Sequence, residues 1–397
     1  RKQGCRIILA TASHWFYARK VADYLGLFDE VIATHAKYNL KGVRKLEKIR
    51  ERVKGEPFAY AGDSSADRPI WSAAAADIHV NSAKSEIALS VSSGKLEKTI
   101  QTRPNAVKAF IRNMRVHQYV KNALIVVPLV TSHSYGDLAS IFAVFWAVVC
   151  FSLCASGVYF LNDLLDLAAD RQHATKRNRP LAAGDLSLKA GAFGAVGLPL
   201  LAFIIALLLL PVSYIAVLAG YYLITNAYSF YLKSIPTADV MALAVLYTLR
   251  VIAGATVLNI VPSSWLLAFS VFIFVSLAYL KRYIEVSAMS HTTENARGRG
   301  YSYGDRESLF VLGASNSTIS VLVFALYISS PAVSVYYPNP EVLWLLCLLM
   351  LYWTNRLWVE ARRGKIHDDP VVFALKDTAS RVVLLAFAVI ILVARFF

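Results

Sequence analysis

Apolar runs of bilayer length follow one another from about residue 119 to the end of this 397-residue chain. They occupy approximately 119–133, 138–161, 189–210, 212–232, 238–258, 264–284, 308–329, 341–359 and 379–397. A helix needs roughly 20 apolar residues to cross a hydrocarbon core. Most of these runs reach that length, and the first is short enough to be partly interfacial. Nine transmembrane helices are expected.

Residues 1–110 differ in kind, with 19 Lys+Arg and 11 Asp+Glu. Over the whole chain 17% of residues are charged and 57% hydrophobic, against roughly 25% charged in an ordinary soluble domain. The apolarity is therefore concentrated in the second part, and two regions of different physical class are expected. In the first, CRIILA (5–10) reads as a buried strand and 14–26 as a helix ending at Gly26. YNLKGVRKLEKIRERV is a basic amphipathic helix, and EPFAYAGDS and DIHVNS are further strands. Strands alternating with helices imply a parallel α/β arrangement. The expected fold is mainly α: a nine-helix transmembrane bundle over 119–397, an α/β soluble domain over 1–93, and a basic connector over 94–118. The chain begins with Arg1 in mid-pattern, which reads as a truncated N-terminus.

The net charge of +15 does not point to nucleic acid, because the cations sit largely in loops beside apolar helices. They suit anionic headgroups or a phosphorylated substrate. Cys5, Cys150, Cys154 and Cys347 show no metal-ligand spacing, and three of them fall in apolar runs, as buried thiols do. The loops SHSYGD, PVS, NIVPSS and PAVSVYYPNPE contain no Lys or Arg. The intervening ones hold Lys176, Arg177, Arg179, Lys233, Lys281, Arg282, Arg297, Arg299, Arg362, Arg363 and Lys365. The positive-inside rule puts the second set in the cytoplasm. With nine spans, the N-terminal domain is then cytoplasmic and the C-terminus external, in an integral protein of the inner membrane.

Within this grease, NDLLDLAADRQHATKRNRPLAAGD (162–185) is an anomaly. Asp163, Asp166 and Asp170 stand at i, i+3 and i+7, one face of a helix, while Leu164, Leu165 and Leu167 cover the other. Like charges so close repel unless a cation lies between them. Mg²⁺ suits them, since it takes carboxylate and phosphate oxygens together and keeps waters. Lys176, Arg177 and Arg179 are placed to clamp remaining phosphate charge. A solvated loop with self-compensating charge is the plain alternative, but three aligned carboxylates at a membrane boundary cost more than solubility requires.

NDLLDLAAD matches the NDxxDxxxD motif of the UbiA superfamily of intramembrane prenyltransferases, and VHQYVKN (116–122) and LRVIAGA (249–255) resemble that family too. The resemblance covers about residues 104–397. It implies a nine-helix bundle with Asp163, Asp166 and Asp170 on Mg²⁺ and Asn162 orienting them. The second Asp-rich DxxxD motif of the typical member is replaced here by YLKRYIEVSAM, with Lys281, Arg282 and Glu285. That departure, and DRQHATKRNRPLAAG, resemble the branch that makes decaprenyl-phosphate 5-phosphoribose, a cell-wall precursor. The implied donor is phosphoribosyl pyrophosphate (PRPP) and the implied acceptor a polyprenyl phosphate. Lys121, Lys176, Arg177, Arg179, Arg250, Lys281, Arg282 and Glu285 are then the candidate substrate- and phosphate-binding residues. Arg250 stands out independently, because a charge within an apolar span is expensive.

IILATAS (7–13) and YAGDSSAD (60–67) resemble motifs II and IV of the haloacid dehalogenase (HAD) superfamily of phosphohydrolases. The resemblance implies that Thr11 donates to a phosphoryl group, that Lys41 or Lys45 neutralises it, and that Asp63 and Asp67 bind Mg²⁺. The DxDx(T/V) motif with the nucleophilic Asp precedes motif II in that family and does not occur in this chain, so this site is incomplete.

The reading is a Mg²⁺-dependent transfer of 5-phosphoribose from PRPP to a polyprenyl phosphate at the cytoplasmic membrane face, releasing pyrophosphate. The HAD-like part, if completed by its nucleophile motif, would remove the product's 5-phosphate; a regulatory or structural role is the alternative. One rival is a transferase using a prenyl diphosphate and an aromatic or lipid acceptor. The other is a transporter or scaffold, disfavoured because the charges sit at a membrane edge and not at midplane. Lipid chain length and oligomeric state are open.

Overall fold

The computed structural model describes residues 4–35, 38–101, 105–289, 300–334, 337–366 and 369–396. Arg297 and Arg299 lie outside the described residues. The chain divides into two compact units, residues 1–106 and 107–397.

In the first unit, β1 (Ile8–His14), α1 (Trp15–Leu25) and β2 (Glu30–Thr34) form a parallel crossover. Gly26, at φ 60°, ends α1 in the left-handed conformation that favours glycine. After α2 (Val43–Val53) come β3 (Ala59–Gly62), α3 (Arg68–Ala73), β4 (Ala76–Val80), α4 (Lys84–Ser92) and β5 (Leu96–Ile100). The parallel expectation holds, but as two sheets, β1–β2 and β3–β4–β5. They share one core in which Leu46 and Ile49 of α2 pack with Ile32, Tyr60, Ile70 and Trp71. Strands β2 and β5 had no counterpart in the sequence reading. β5 (LEKTI) pairs with β4 from Asp77↔Leu96 to Val80↔Ile100, so residues 96–100 of the supposed basic connector are sheet. On β4, Asp77 and His79 both meet the Ser90 hydroxyl of α4, at 2.7 and 2.8 Å.

The second unit opens with α5 (Ala106–Met114). A run of 3₁₀ turns over Val116–Val126 leads into the short α6 (Val127–Thr131). Then come α7 (Leu138–Leu165), α8 (Leu167–Gln172), α9 (Pro180–Ala183), α10 (Leu188–Leu209), α11 (Val212–Phe230), α12 (Ala238–Val257) and α13 (Ser264–Ser287). The last are α14 (Arg306–Ile328), α15 (Pro331–Ser334), α16 (Trp344–Arg362), α17 (Pro370–Lys376) and α18 (Thr378–Phe396). Among the described residues seven helices, not the expected nine, are long and apolar enough to cross a membrane: α7, α10, α12, α13, α18 and those containing α14 and α16. The first expected span is 3₁₀ for most of its length, with Pro128 opening its short α-helical end. The 19-residue α11 carries Tyr214, Tyr221, Tyr222, Tyr228 and Asn226, whose polar groups lower its hydropathy.

Close approach of backbones sets the packing, as small residues permit in membranes. A Cβ on Gly157 of α7 would lie 2.3 Å from the Pro199 ring of α10. A Cβ on Gly254 of α12 would lie 2.1 Å from the Ile125 carbonyl oxygen. Gly254 thus lets the 3₁₀ segment lie directly on α12, the most enclosed of the seven helices.

Candidate functional site

Helix α7 starts at Asp137, whose carboxylate accepts from the Ala139 and Ser140 amides at 3.2 and 3.0 Å. It runs 28 residues and stops at Asp166, whose backbone (φ −86°, ψ 6°) leaves the helix before α8 begins. The three carboxylates are therefore not on one continuous face. Asp163 and Asp170 are both buried, at 2% exposure, and the Asp166 side chain is 44% exposed.

Arg179 joins the buried pair. Pro180 opens α9 and holds the preceding residue in extended conformation (φ −66°, ψ 144°). From there one Arg179 Nη1 reaches Asp163 Oδ1 at 3.0 Å and Asp170 Oδ2 at 2.6 Å. Arg115 donates to the same Asp163 oxygen at 2.5 Å and lies 4.9 Å over the Tyr159 ring. The sequence reading missed Arg115. It is 48 residues from Asp163, and no spacing announces the contact. Its φ of 56° is uncommon for a non-glycine residue.

Of the expected three-aspartate metal set, Asp163 and Asp170 meet at Arg179, and Asp166 lies nearest Lys233. Among the described residues no three His, Cys, Asp or Glu side chains come together as a metal-holding group, and the Asp166 carboxylate lies 3.9 Å from Lys233. Two carboxylates that already share one cationic atom do fit Mg²⁺, which is commonly held by one or two carboxylates with phosphates and waters completing the shell. Asn162 is half-buried and its carbonyl accepts from the Asp166 amide at 2.9 Å. Lys176 and Arg177 are exposed beside the site.

A second group of cations lies deeper. Arg250 of α12 is buried, donating to Asn122 Oδ1 at 2.9 Å, to the Leu246 carbonyl at 2.5 Å and to the Tyr221 hydroxyl at 3.3 Å. Its guanidinium stands 5.0–5.5 Å from the rings of Tyr221, Tyr247 and Phe151. Tyr159 lies within electrostatic reach of both Arg250 and Arg115, so it links this cage to the carboxylates. Lys121 and Lys281 meet at one atom, Asp369 Oδ2, at 2.9 and 3.3 Å; Asp369 was also unforeseen.

Arg282 and Glu285 are engaged with each other and with side chains of neighbouring helices. Arg282 is 1% exposed. It donates to Asp239, to Glu285 at 2.5 Å and to the Tyr228 hydroxyl at 2.9 Å. Tyr301 completes the network by donating to Asp239 at 2.7 Å. With its charge compensated from α11, α12 and α13, Arg282 ties helices together.

In the N-terminal unit Lys45 Nζ donates to Asp67 Oδ1 at 2.7 Å and to the Tyr60 hydroxyl at 2.9 Å. Burial pushes the Asp67 carboxyl up, but the Lys45 hydrogen bond and charge, with the Tyr60 hydroxyl, outweigh it and hold it below its ordinary value. Lys45, not the exposed Lys41, is thus the lysine that meets the motif. Asp63 is exposed and its amide donates to Asp67 Oδ2 at 3.3 Å. Thr11 accepts from the Ser13 amide at 3.1 Å.

Comparison with known proteins brings these features together. Residues 123–382 match the UbiA prenyltransferase family. The chain is 36% identical over 383 residues to "Uncharacterized protein y4nM" of Sinorhizobium fredii, spanning 96% of this chain and 74% of that one. It is 34% identical over 280 residues to "Nodulation protein NoeC" of Azorhizobium caulinodans, spanning 69% and 89%. It is 32% identical over 229 residues to the decaprenyl-phosphate phosphoribosyltransferase of Mycolicibacterium smegmatis, spanning 56% and 71%. Its fold resembles the solved UbiA homolog from Archaeoglobus fulgidus bound to GPP and Mg²⁺, with TM-score 0.52 at 16% identity over 72% of this chain and 96% of that one. A helical membrane bundle with paired carboxylates and cations at a helix break, matched over most of its length, belongs to the UbiA prenyltransferase family.

Proposed function

We propose that this protein transfers 5-phosphoribose from PRPP to a polyprenyl phosphate, with Mg²⁺, at the cytoplasmic face of the inner membrane. The observation that carries the reading is the Asp163–Arg179–Asp170 bridge, two buried carboxylates held on one cationic atom, in a chain related to the decaprenyl-phosphate phosphoribosyltransferases. Lys281 near the end of α13, where a second acid pair is expected of the typical family member, supports an anionic acceptor.

In this reading Asp163 and Asp170 hold the metal, which supplies charge stabilisation to the departing pyrophosphate. Arg115 and Arg179 fix the carboxylates. Lys176 and Arg177 bind the outer phosphate oxygens, and Lys233 with Asp166 lines the approach. The acceptor phosphate oxygen forms a bond to ribose C1 while the C1–O bond to pyrophosphate breaks, and pyrophosphate leaves with the electron pair. No proton need move, because a phosphate monoester is already anionic. The N-terminal unit is, in the same proposal, a HAD-like domain with Asp67 and Lys45 at its motif, which would act on the product's 5-phosphate only if a nucleophilic Asp completes the site.

The test uses the purified full chain in detergent with labelled PRPP, polyprenyl phosphate and Mg²⁺. Label is expected in the organic phase, with pyrophosphate released in equal amount. An unlabelled organic phase, alongside efficient prenylation of an aromatic acid from a prenyl diphosphate, would replace this reading with ordinary prenyl transfer.

A further inference from the structure

The Lys121–Asp369–Lys281 contact joins parts of the chain 248 and 88 residues apart. Lys121 comes from the 3₁₀ segment before α6, Lys281 from the last turns of α13, and Asp369 from the residue before α17. Both ammonium groups address one carboxylate oxygen, and all three side chains are largely enclosed, at 12%, 33% and 14% exposure. A helix-to-helix tie needs one lysine per carboxylate. Two lysines converging on a single oxygen, in a setting of low dielectric, offer more positive charge than one carboxylate supplies.

The surroundings continue the pattern. The Tyr247 ring lies 5.8 Å from the Lys121 ammonium and 5.4 Å from the Arg250 guanidinium, and it is within electrostatic reach of Asp369 and Lys281. Beyond Arg250 the layer of Tyr221, Phe151 and Tyr159 leads to Arg115 and the Asp163 carboxylate. The lysine pair and the carboxylate pair are thus joined by one chain of aromatic contacts, with opposite preference for charge. Asp369 is held by its backbone: its carbonyl accepts from the Phe373 amide at 2.9 Å.

We propose that Lys121 and Lys281 form a binding site for a phosphate monoester dianion, and that the Asp369 carboxylate is its displaceable counter-ion, occupying the phosphate's place until a ligand arrives. The proposal rests on the phosphoryl-acceptor reading above and deepens it by naming where that group docks. A dianion with three acceptor oxygens compensates both ammonium groups, which one carboxylate does not. The phosphate is carried either by a lipid or by a sugar, and the experiment separates the two.

The test is equilibrium binding to the full chain in detergent micelles, without donor or turnover, with three probes: polyprenyl phosphate, ribose 5-phosphate and uncharged polyprenol. Asp369→Asn, close in shape, is expected to bind a phosphate monoester about tenfold tighter, and Lys281→Gln about tenfold weaker, the scale of one charge-assisted contact. Polyprenol binding stays unchanged in both. If the shifts occur with polyprenyl phosphate, the lipid carries the group; if with ribose 5-phosphate only, the sugar does. Asp369→Asn binding neither ligand more tightly, with an unchanged melting temperature, would overturn the proposal and make Asp369 a positioning residue for the lysines. Should that variant fail to fold, unchanged affinity for both phosphates in Lys281→Gln overturns it equally. Because no catalysis is read, failure of PRPP turnover leaves this result interpretable.

Discussion

Asp163→Asn separates what the buried carboxylate does for the fold from what it does for chemistry. Asp163 accepts from two guanidiniums, Arg115 at 2.5 Å and Arg179 at 3.0 Å. Hydrogen bonds to charged groups contribute roughly 1.5–3 kcal/mol each. Arg179 keeps Asp170 at 2.6 Å, so its loss is partial, whereas Arg115 loses the anion it faces. The expected destabilisation is about 2–4 kcal/mol, toward the lower part of the range for breaking a buried ion pair. Turnover should fall about a hundredfold to a thousandfold, the usual cost of removing one transition-state charge contact. Asp166→Asn is the internal control for burial. Its side chain is 44% exposed and 3.9 Å from Lys233, so stability should move by no more than about 1 kcal/mol. Melting in detergent, followed by fluorescence, reads the first quantity; pyrophosphate release at saturating Mg²⁺ reads the second. Turnover within about threefold of wild type in a folded Asp163→Asn protein would refute the metal assignment. Equal destabilisation by both variants would refute the burial argument.

Gly254→Ala should destabilise the bundle by about 1–3 kcal/mol, since its Cβ would meet the Ile125 carbonyl at 2.1 Å; an unchanged melting temperature would show that the 3₁₀ segment can withdraw at no cost. The Asp67 carboxyl is held below its ordinary value, so its contribution to stability is complete above about pH 3.9, the unfolded value, and is lost as pH falls through the lower folded one. Hydrogen exchange of β3 in the full chain should rise in that acidic window and should do so already at neutral pH in Asp67→Asn. For topology, cysteine placed at Asn339 should react with an impermeant reagent from outside intact cells and cysteine at Thr175 should not; the reverse result would invert the orientation.

The long helices were legible because apolarity over bilayer length leaves few alternatives. Their number was not, because Pro128 and the tyrosines of α11 act through local geometry and polarity that a run of apolar letters conceals. Strands β2 (EVIAT) and β5 (LEKTI) were missed for a related reason: each is only five residues, and LEKTI carries two charges that read as loop. The aspartates were found by spacing, but spacing assumes an unbroken helix, and Asp166 breaks it. Arg179 was visible beside them. Arg115 and Asp369 were not, since they act 48 and up to 248 residues from their partners. Arg282 was seen as a charge at a helix end, and only its contact with Asp239, 43 residues away, reveals that it is a tie.

That tie bears on how the chain is made. Asp239 begins α12, and the two partners described for it, Arg282 and Tyr301, lie 43 and 62 residues later. A ribosome therefore delivers α12 to the membrane before either partner has been synthesised. An aspartate within a membrane segment costs up to roughly 3 kcal/mol on insertion scales when central and less near an end. Arg250, further along the same helix, has its acceptor Asn122 waiting, already translated 128 residues earlier. Helix α12 thus meets the bilayer with the Asn122 acceptor of Arg250 already made and with Arg282 of α13, a partner of Asp239, still to follow a short loop away. The arrangement favours delivery of the two helices together as a hairpin, with the start of α12 and the end of α13 closed on each other by the aspartate and the arginine, so that order of synthesis and order of assembly coincide.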